Sequence, residues 1–198
     1  MYKSFIILTL LSVVFVGCVS SNKIYNPPKD IIKIENSVNV NQPKEVVWTK
    51  LIQGVASNFF VINNMDKQSG FINISYSGDP EKYVDGGDFT FTFENLRGKR
   101  TYNFPGARAN SQYETMINGN LCTIIRQLDL DGRMNIIVNS IDSAKTKVTV
   151  NTKYILTLKN SGTTVTGQTL IPSQEVISFN TGQSAQTSAG TKFFANGE

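Results

Sequence analysis

Beyond residue 60 the apolar residues of this chain recur at every second position, a period that confines most of the molecule to strands with one buried and one wet face. Ile72, Ile74 and Tyr76 alternate with Asn73 and Ser75, and Phe89, Phe91 and Phe93 alternate with Thr90 and Thr92. Val148, Val150, Tyr154, Leu156 and Leu158 alternate with Thr149, Asn151, Lys153 and Thr157. The three phenylalanines share one strand face and are assigned to the core. Asp66 to Gly70 separate the run Phe59 to Met65 from the run Phe71 to Tyr76, which predicts a hairpin. Asp131-Gly132 reads as a two-residue hairpin turn, and Asn160-Ser161-Gly162 as the turn into a further strand over Val165 to Ile171, with Val176 to Phe179 closing the series.

One segment has helical spacing. Val38-Asn39-Val40-Asn41 reads as a short strand, and Pro43 follows where a proline costs a helix no hydrogen bond. Val47, Leu51 and Val55 then form a stripe, flanked by Trp48 and Ile52, over a helix from Pro43 to Asn58. One helix followed by about seven strands predicts an α+β fold, a mainly antiparallel meander sheet with one principal helix packed on it. Trp48 is assigned to the helix–sheet core. The alternative is a ligand cavity between Trp48 and the face of Phe89, Phe91 and Phe93.

The N-terminus says where the chain works. Lys3 precedes an apolar run from Phe5 to Val16, and Gly17-Cys18 follows at once. As a helix that run is about 18 Å long against about 30 Å of bilayer hydrocarbon, so an export signal over residues 1–17 fits better than a permanent span. Residues 18–33, with Ser20-Ser21-Asn22 and Pro27-Pro28, have linker composition and are expected to form a flexible tether. A single domain then covers residues 34–180, and a Gly/Ser/Thr-rich tail residues 181–198.

Phe15-Val16-Gly17-Cys18 resembles the lipobox of bacterial lipoproteins, with Phe15 where leucine is commonest. The resemblance implies acylation of Cys18, and Val19 after it implies sorting to the outer membrane, facing the periplasm. Several acyl chains on one cysteine, at about 0.8 kcal/mol per buried methylene, make an effectively permanent anchor. Cys122 is then left without a partner, and its place in the apolar run Leu121 to Ile125 assigns it as a buried thiol.

Two further resemblances concern the body of the chain. The order strand, helix, meander, with Val46-Val47-Trp48-Thr49-Lys50-Leu51 and Gly70-Phe71-Ile72-Asn73-Ile74-Ser75-Tyr76, resembles helix-grip modules, such as that in the C-subunit lipoprotein of the outer-membrane β-barrel assembly machine. That implies a helix-grip-like fold and an accessory, non-enzymatic envelope role. The stretch from Ser77 to Gly87 is similar to a segment of bacterial lipoproteins that carry cysteine where Gly86 stands, and implies a disulfide lost here, whose second cysteine maps near Phe194.

Chemistry is mostly excluded. The chain has no histidine, so Ser-His-Asp triads, imidazole bases and His-ligated zinc are ruled out. The net charge of +4 is spread along the chain with no dense basic run, which argues against nucleic acid. Asp79, Glu81, Asp85 and Asp88 sit among glycines and could ligate calcium, although nothing beyond their clustering points to a metal, and no cofactor is implied. Arg97, Lys99, Arg100, Tyr102, Phe104, Arg108 and Tyr113 interleave basic and aromatic residues over what reads as one long loop, a candidate contact for an envelope protein partner or an anionic surface. The expected function is a lipid-anchored interaction or assembly module, with a binder of a small or amphipathic ligand between helix and sheet as the alternative.

Overall fold

The computed structural model describes residues 19–29, 34–58 and 60–196. The chain runs β1 (Ser20–Asn26), β2 (Ser37–Val40), α1 (Lys44–Ser57), β3 (Val61–Asp66), β4 (Phe71–Gly78), α2 (Pro80–Tyr83) and β5 (Val84–Asp85). It continues through β6 (Asp88–Asn95), β7 (Gly98–Pro105), β8 (Asn110–Ile117), β9 (Asn120–Ser140), β10 (Thr146–Thr164), β11 (Ser173–Asn180), β12 (Ser184–Gln186) and β13 (Lys192–Ala195). Strand accounts for 62 % of the structure and helix for 10 %, so the fold is antiparallel β and not the α+β, helix-grip-like arrangement expected from the sequence. The cause is that stretches lacking clean alternation are nevertheless strands.

A long hairpin forms the spine. β9 has 21 residues and β10 has 19, and they pair without interruption from Ser140↔Thr146 to Cys122↔Thr164. Along the free edge of β9 lie first β8 and then β4, with β3 outside β4; along the free edge of β10 lie β2 and β11. The even-numbered residues of β9 from Cys122 to Leu130, together with Ile136 and Val138, are buried. Period two therefore holds one buried face along the spine.

Three elements cover that face in succession. At one end α1 lays Val47, Trp48 and Val55 on Ile72, Ile74, Ile136 and Val138. In the middle the small sheet β12-β13-β5 brings Val84, Phe193 and Ala195 onto Leu128, Leu130, Tyr154 and Leu156. At the other end the sheet β1-β6-β7 seats Phe89, Phe91 and Phe104 against β8, with Phe91 stacked on Tyr113 at 3.7 Å between ring centroids. Arg126 of β9 is buried beneath this aromatic group and donates to the carbonyls of Gly106 (2.6 Å) and Arg108 (3.2 Å). Burial pulls its pKa down to about 10, against the opposing influence of nearby Tyr113.

Several expectations are corrected by this architecture. Ser20–Asn26, placed in the tether, is β1, paired with all of β6 from Ser20↔Glu94 to Asn26↔Asp88. The supposed loop between Leu96 and Tyr113 holds β7 and β8. The tail contains β12 and β13, and Phe193 is fully buried. Asp131-Gly132 is not a turn, and neither is Asn160-Ser161-Gly162: both lie inside the spine. The turn between β8 and β9 is Asn118-Gly119, with φ of 49° and 77°, the positive pair a tight hairpin needs.

Candidate functional site

The face of the spine sheet opposite α1 carries a row of carboxamides. Asn73 of β4, Asn135 of β9 and Asn151 of β10 are register partners in turn, so the pleat aims them to the same side. Asn73 Nδ2 donates to Asn135 Oδ1 at 2.6 Å, and Asn36 Nδ2 donates to Asn151 Oδ1 at 2.8 Å. A bulge in β3 between Ile62 and Asn64 adds Asn63, whose Nδ2 donates to Asn73 Oδ1 at 2.9 Å.

The β3 end of this row, Asn63 and Asn73, lines an open cleft of about 920 Å³. The cleft opens where β3 stops: Val61 pairs with Ser75, and beyond it Tyr76, Ser77 and Gly78 have no β3 partner. Arg133 and Asp131 line it from β9, with Ser77 Oγ donating to Asp131 Oδ1 at 2.6 Å. Three rings border it from the α1 side of the sheet, across the open edge of β4, because Tyr76 shares the face of Ile72 and Ile74. Phe60 meets Tyr76 edge-on at 5.7 Å, and Tyr83 of α2 lies 5.2 Å from Tyr76. Burial, followed by the neighbouring Tyr154 and Tyr83, pushes the Tyr76 hydroxyl far above its ordinary pKa, so it stays protonated well into alkaline pH. An adjoining groove continues along Arg133, Asn135, Asn151 and Lys153. The arrangement offers planar amides, hydroxyls and ring faces, and it sets no pair of carboxylates across a gap.

The residues singled out in the sequence do not converge. Arg100 pairs with Glu114 at 3.0 Å, Tyr102 donates to the same carboxylate at 2.7 Å, and Arg108 pairs with Glu81 at 3.1 Å. Phe104 is buried among the aromatic rings, whereas Arg97 and Lys99 are exposed at the β6–β7 turn. Trp48 belongs to the cluster under α1, and Phe89 and Phe91 belong to the one under β1-β6-β7, so the cavity imagined between them has no common wall. Phe93 is buried with Arg100 over its ring at 5.1 Å.

In the acidic stretch Asp79, Glu81 and Asp85 each have a local task. Asp79 caps α2 by accepting from Glu81 N at 3.2 Å, and Asp85 accepts from Gly87 N at 2.8 Å. No group of three metal-ligating side chains gathers among the described residues. Asp85 pairs with Phe194 in register, which sets Gly86 against the Phe193 ring. Cys122 is a free, buried thiol, and Cys18 lies outside the described residues. No family model, curated protein or solved structure matches this chain.

The carboxamide row carried a signal that single strands do not display. Asn73, Asn135 and Asn151 each occupy a wet position in an alternating run, and only the register between strands shows that they line up.

Proposed function

We propose that the protein is a lipid-anchored, non-enzymatic component of the bacterial cell envelope that acts by binding, and that the asparagine-floored cleft is its binding surface. The anchor is acylated Cys18, read from the sequence, with the domain on the periplasmic side of the outer membrane. The observation that supports binding is that the Asn63 and Asn73 amides and the Phe60, Tyr76 and Tyr83 rings border one open cleft, with the Asn135 amide hydrogen-bonded to Asn73 in the adjoining groove. A ligand dense in hydroxyl and amide groups with apolar ring faces, an envelope glycan, suits that surface: amides exchange hydrogen bonds with it and rings cover its C–H faces.

Two substitutions test the two halves. In Cys18→Ser, acyl labelling and membrane retention should be lost while the melting temperature stays unchanged; full retention in the membrane would overturn the anchor. Asn63→Ala with Asn73→Ala should weaken binding to purified envelope glycans by tenfold or more, read by titration calorimetry against the parent. Undiminished binding would remove the cleft from the account.

A further inference from the structure

Val19 and Ser20 stand at the start of β1, beside the β6–β7 turn, because Ser20 pairs with Glu94 and that turn follows at Asn95. Ser21 Oγ accepts from Met116 N at 3.2 Å, which brings the β8–β9 turn to the same end. Val165 N donates to the carbonyl of Leu121 at 3.0 Å, which brings the segment leaving β10 there as well. Arg97, Lys99, Leu121 and Val165 line one shallow cleft. Three chain reversals and the start of the first strand thus share one end of the molecule.

Each reversal is built by polar or glycine residues and carries an aliphatic side chain it does not use. In the β6–β7 turn, Asn95 Oδ1 accepts from Arg97 N at 2.9 Å and Gly98 takes φ of 123°, while Leu96 between them is 82 % exposed. Asn118-Gly119 makes the β8–β9 turn, and Ile117 before it is 36 % exposed. After β10, Gly167 N donates to Thr164 O at 2.9 Å and takes φ of 86°, while Val165 is 69 % exposed. Leucine at a tip that needs only asparagine and glycine is a cost in water with no return in folding. Arg97 and Lys99 follow Leu96; Glu94 is the register partner of Lys99 across the hairpin and Glu114 pairs with Arg100, while Arg97, nearest the tip, makes no ion pair among the described residues.

We propose that this end of the domain rests on the phospholipid surface, with Leu96, Val165 and Ile117 entering the headgroup layer and Arg97 beside lipid phosphate. The inference rests on the acylation of Cys18: only Val19 lies between Cys18 and Ser20, two steps of extended chain, so the anchor point lies within about 7 Å of this end. Exposed aliphatic tips with a cation at their base suit the boundary between headgroups and acyl chains, where apolar side chains are buried and the guanidinium stays hydrated. The pairing of β1 with β6 removes the slack that would let the domain stand clear.

The test uses the full-length acylated protein reconstituted in vesicles of phosphatidylethanolamine and phosphatidylglycerol. Leu96→Cys, Val165→Cys and, in the β9–β10 turn at the other end of the spine, Ser143→Cys are labelled with an environment-sensitive fluorophore, since buried Cys122 is shielded from the reagent. Brominated lipids should quench the probes at 96 and 165 at least threefold more than the probe at 143. Equal, weak quenching at all three sites, with acylated Cys18 confirmed by mass spectrometry, would overturn the docked end and leave the anchor standing. Absence of acyl chains on Cys18 would overturn both.

Discussion

The ring of Tyr76 fills the space above Gly132 where any other residue would place a Cβ. The two are register partners on β4 and β9, and a methyl group at 132 would overlap the ring. Gly132→Ala should therefore cost about 1–3 kcal/mol through overpacking, and Tyr76→Leu should relieve most of that cost in the double variant. Denaturant midpoints of the four proteins in the cycle check it. Additive effects would show that the ring and the glycine are independent.

Phe91 touches Phe89, Phe104 and Tyr113, and its own strand neighbour Thr92 faces the other way. Phe91→Ala should cost about 3–5 kcal/mol, whereas Thr92→Ala should stay below about 1 kcal/mol. Similar small shifts in melting temperature for both would mean that the sheet β1-β6-β7 is held by something other than this aromatic cluster.

Arg126 is a buried cation whose partners are backbone carbonyls, with no carboxylate paired to it among the described residues. Arg126→Leu leaves the buried Gly106 carbonyl without its donor and should cost about 1–3 kcal/mol. Hydrogen exchange should then quicken first in Pro105 to Asn110, where the guanidinium ties the connection between β7 and β8.

Tyr25, Tyr76, Tyr113 and Tyr154 all have pKa values raised chiefly by burial, above the ordinary 10.0. An acid whose pKa rises on folding keeps its proton longer in the native state, so folding stability from these groups is complete below pH 10 and falls as the pH climbs past it. Denaturant unfolding at steps above pH 9, alongside ultraviolet titration of the phenolates, should show stability dropping before these tyrosines ionise in the folded protein. Phenolates that titrate near pH 10 without loss of structure would contradict their burial.

Alternation made the faces of β4, β6 and β10 legible, and the stripe Val47, Leu51, Val55 made α1 legible, because in those segments burial is periodic. β1 escaped notice because its residues are mostly exposed and its place comes from backbone pairing to β6. β7 was hidden in the same way, with Lys99, Arg100 and Thr101 on an edge strand. Two of the Asx-Gly dipeptides show where local reasoning stops. At Asn118-Gly119 glycine supplies positive φ with open space around it, and at Asp131-Gly132 it supplies room for a ring contributed by a strand more than fifty residues earlier. The cleft was illegible for a related reason, since its floor is assembled by register among four strands.

The uninterrupted β9–β10 ladder works as a ruler. A flexible tether would let the distance between Leu121 and the amide row at Asn135 wander with chain entropy, but here it is counted in strand residues, roughly 3.3 Å each, or about 45 Å less the effect of twist. Lengthening both strands by two residues would raise the row by about 7 Å and keep every side chain on its own face. Lengthening them by one would turn the asparagines inward and the leucines outward. The height of the amide row can therefore change only in steps of two residues, a constraint that no linker would impose.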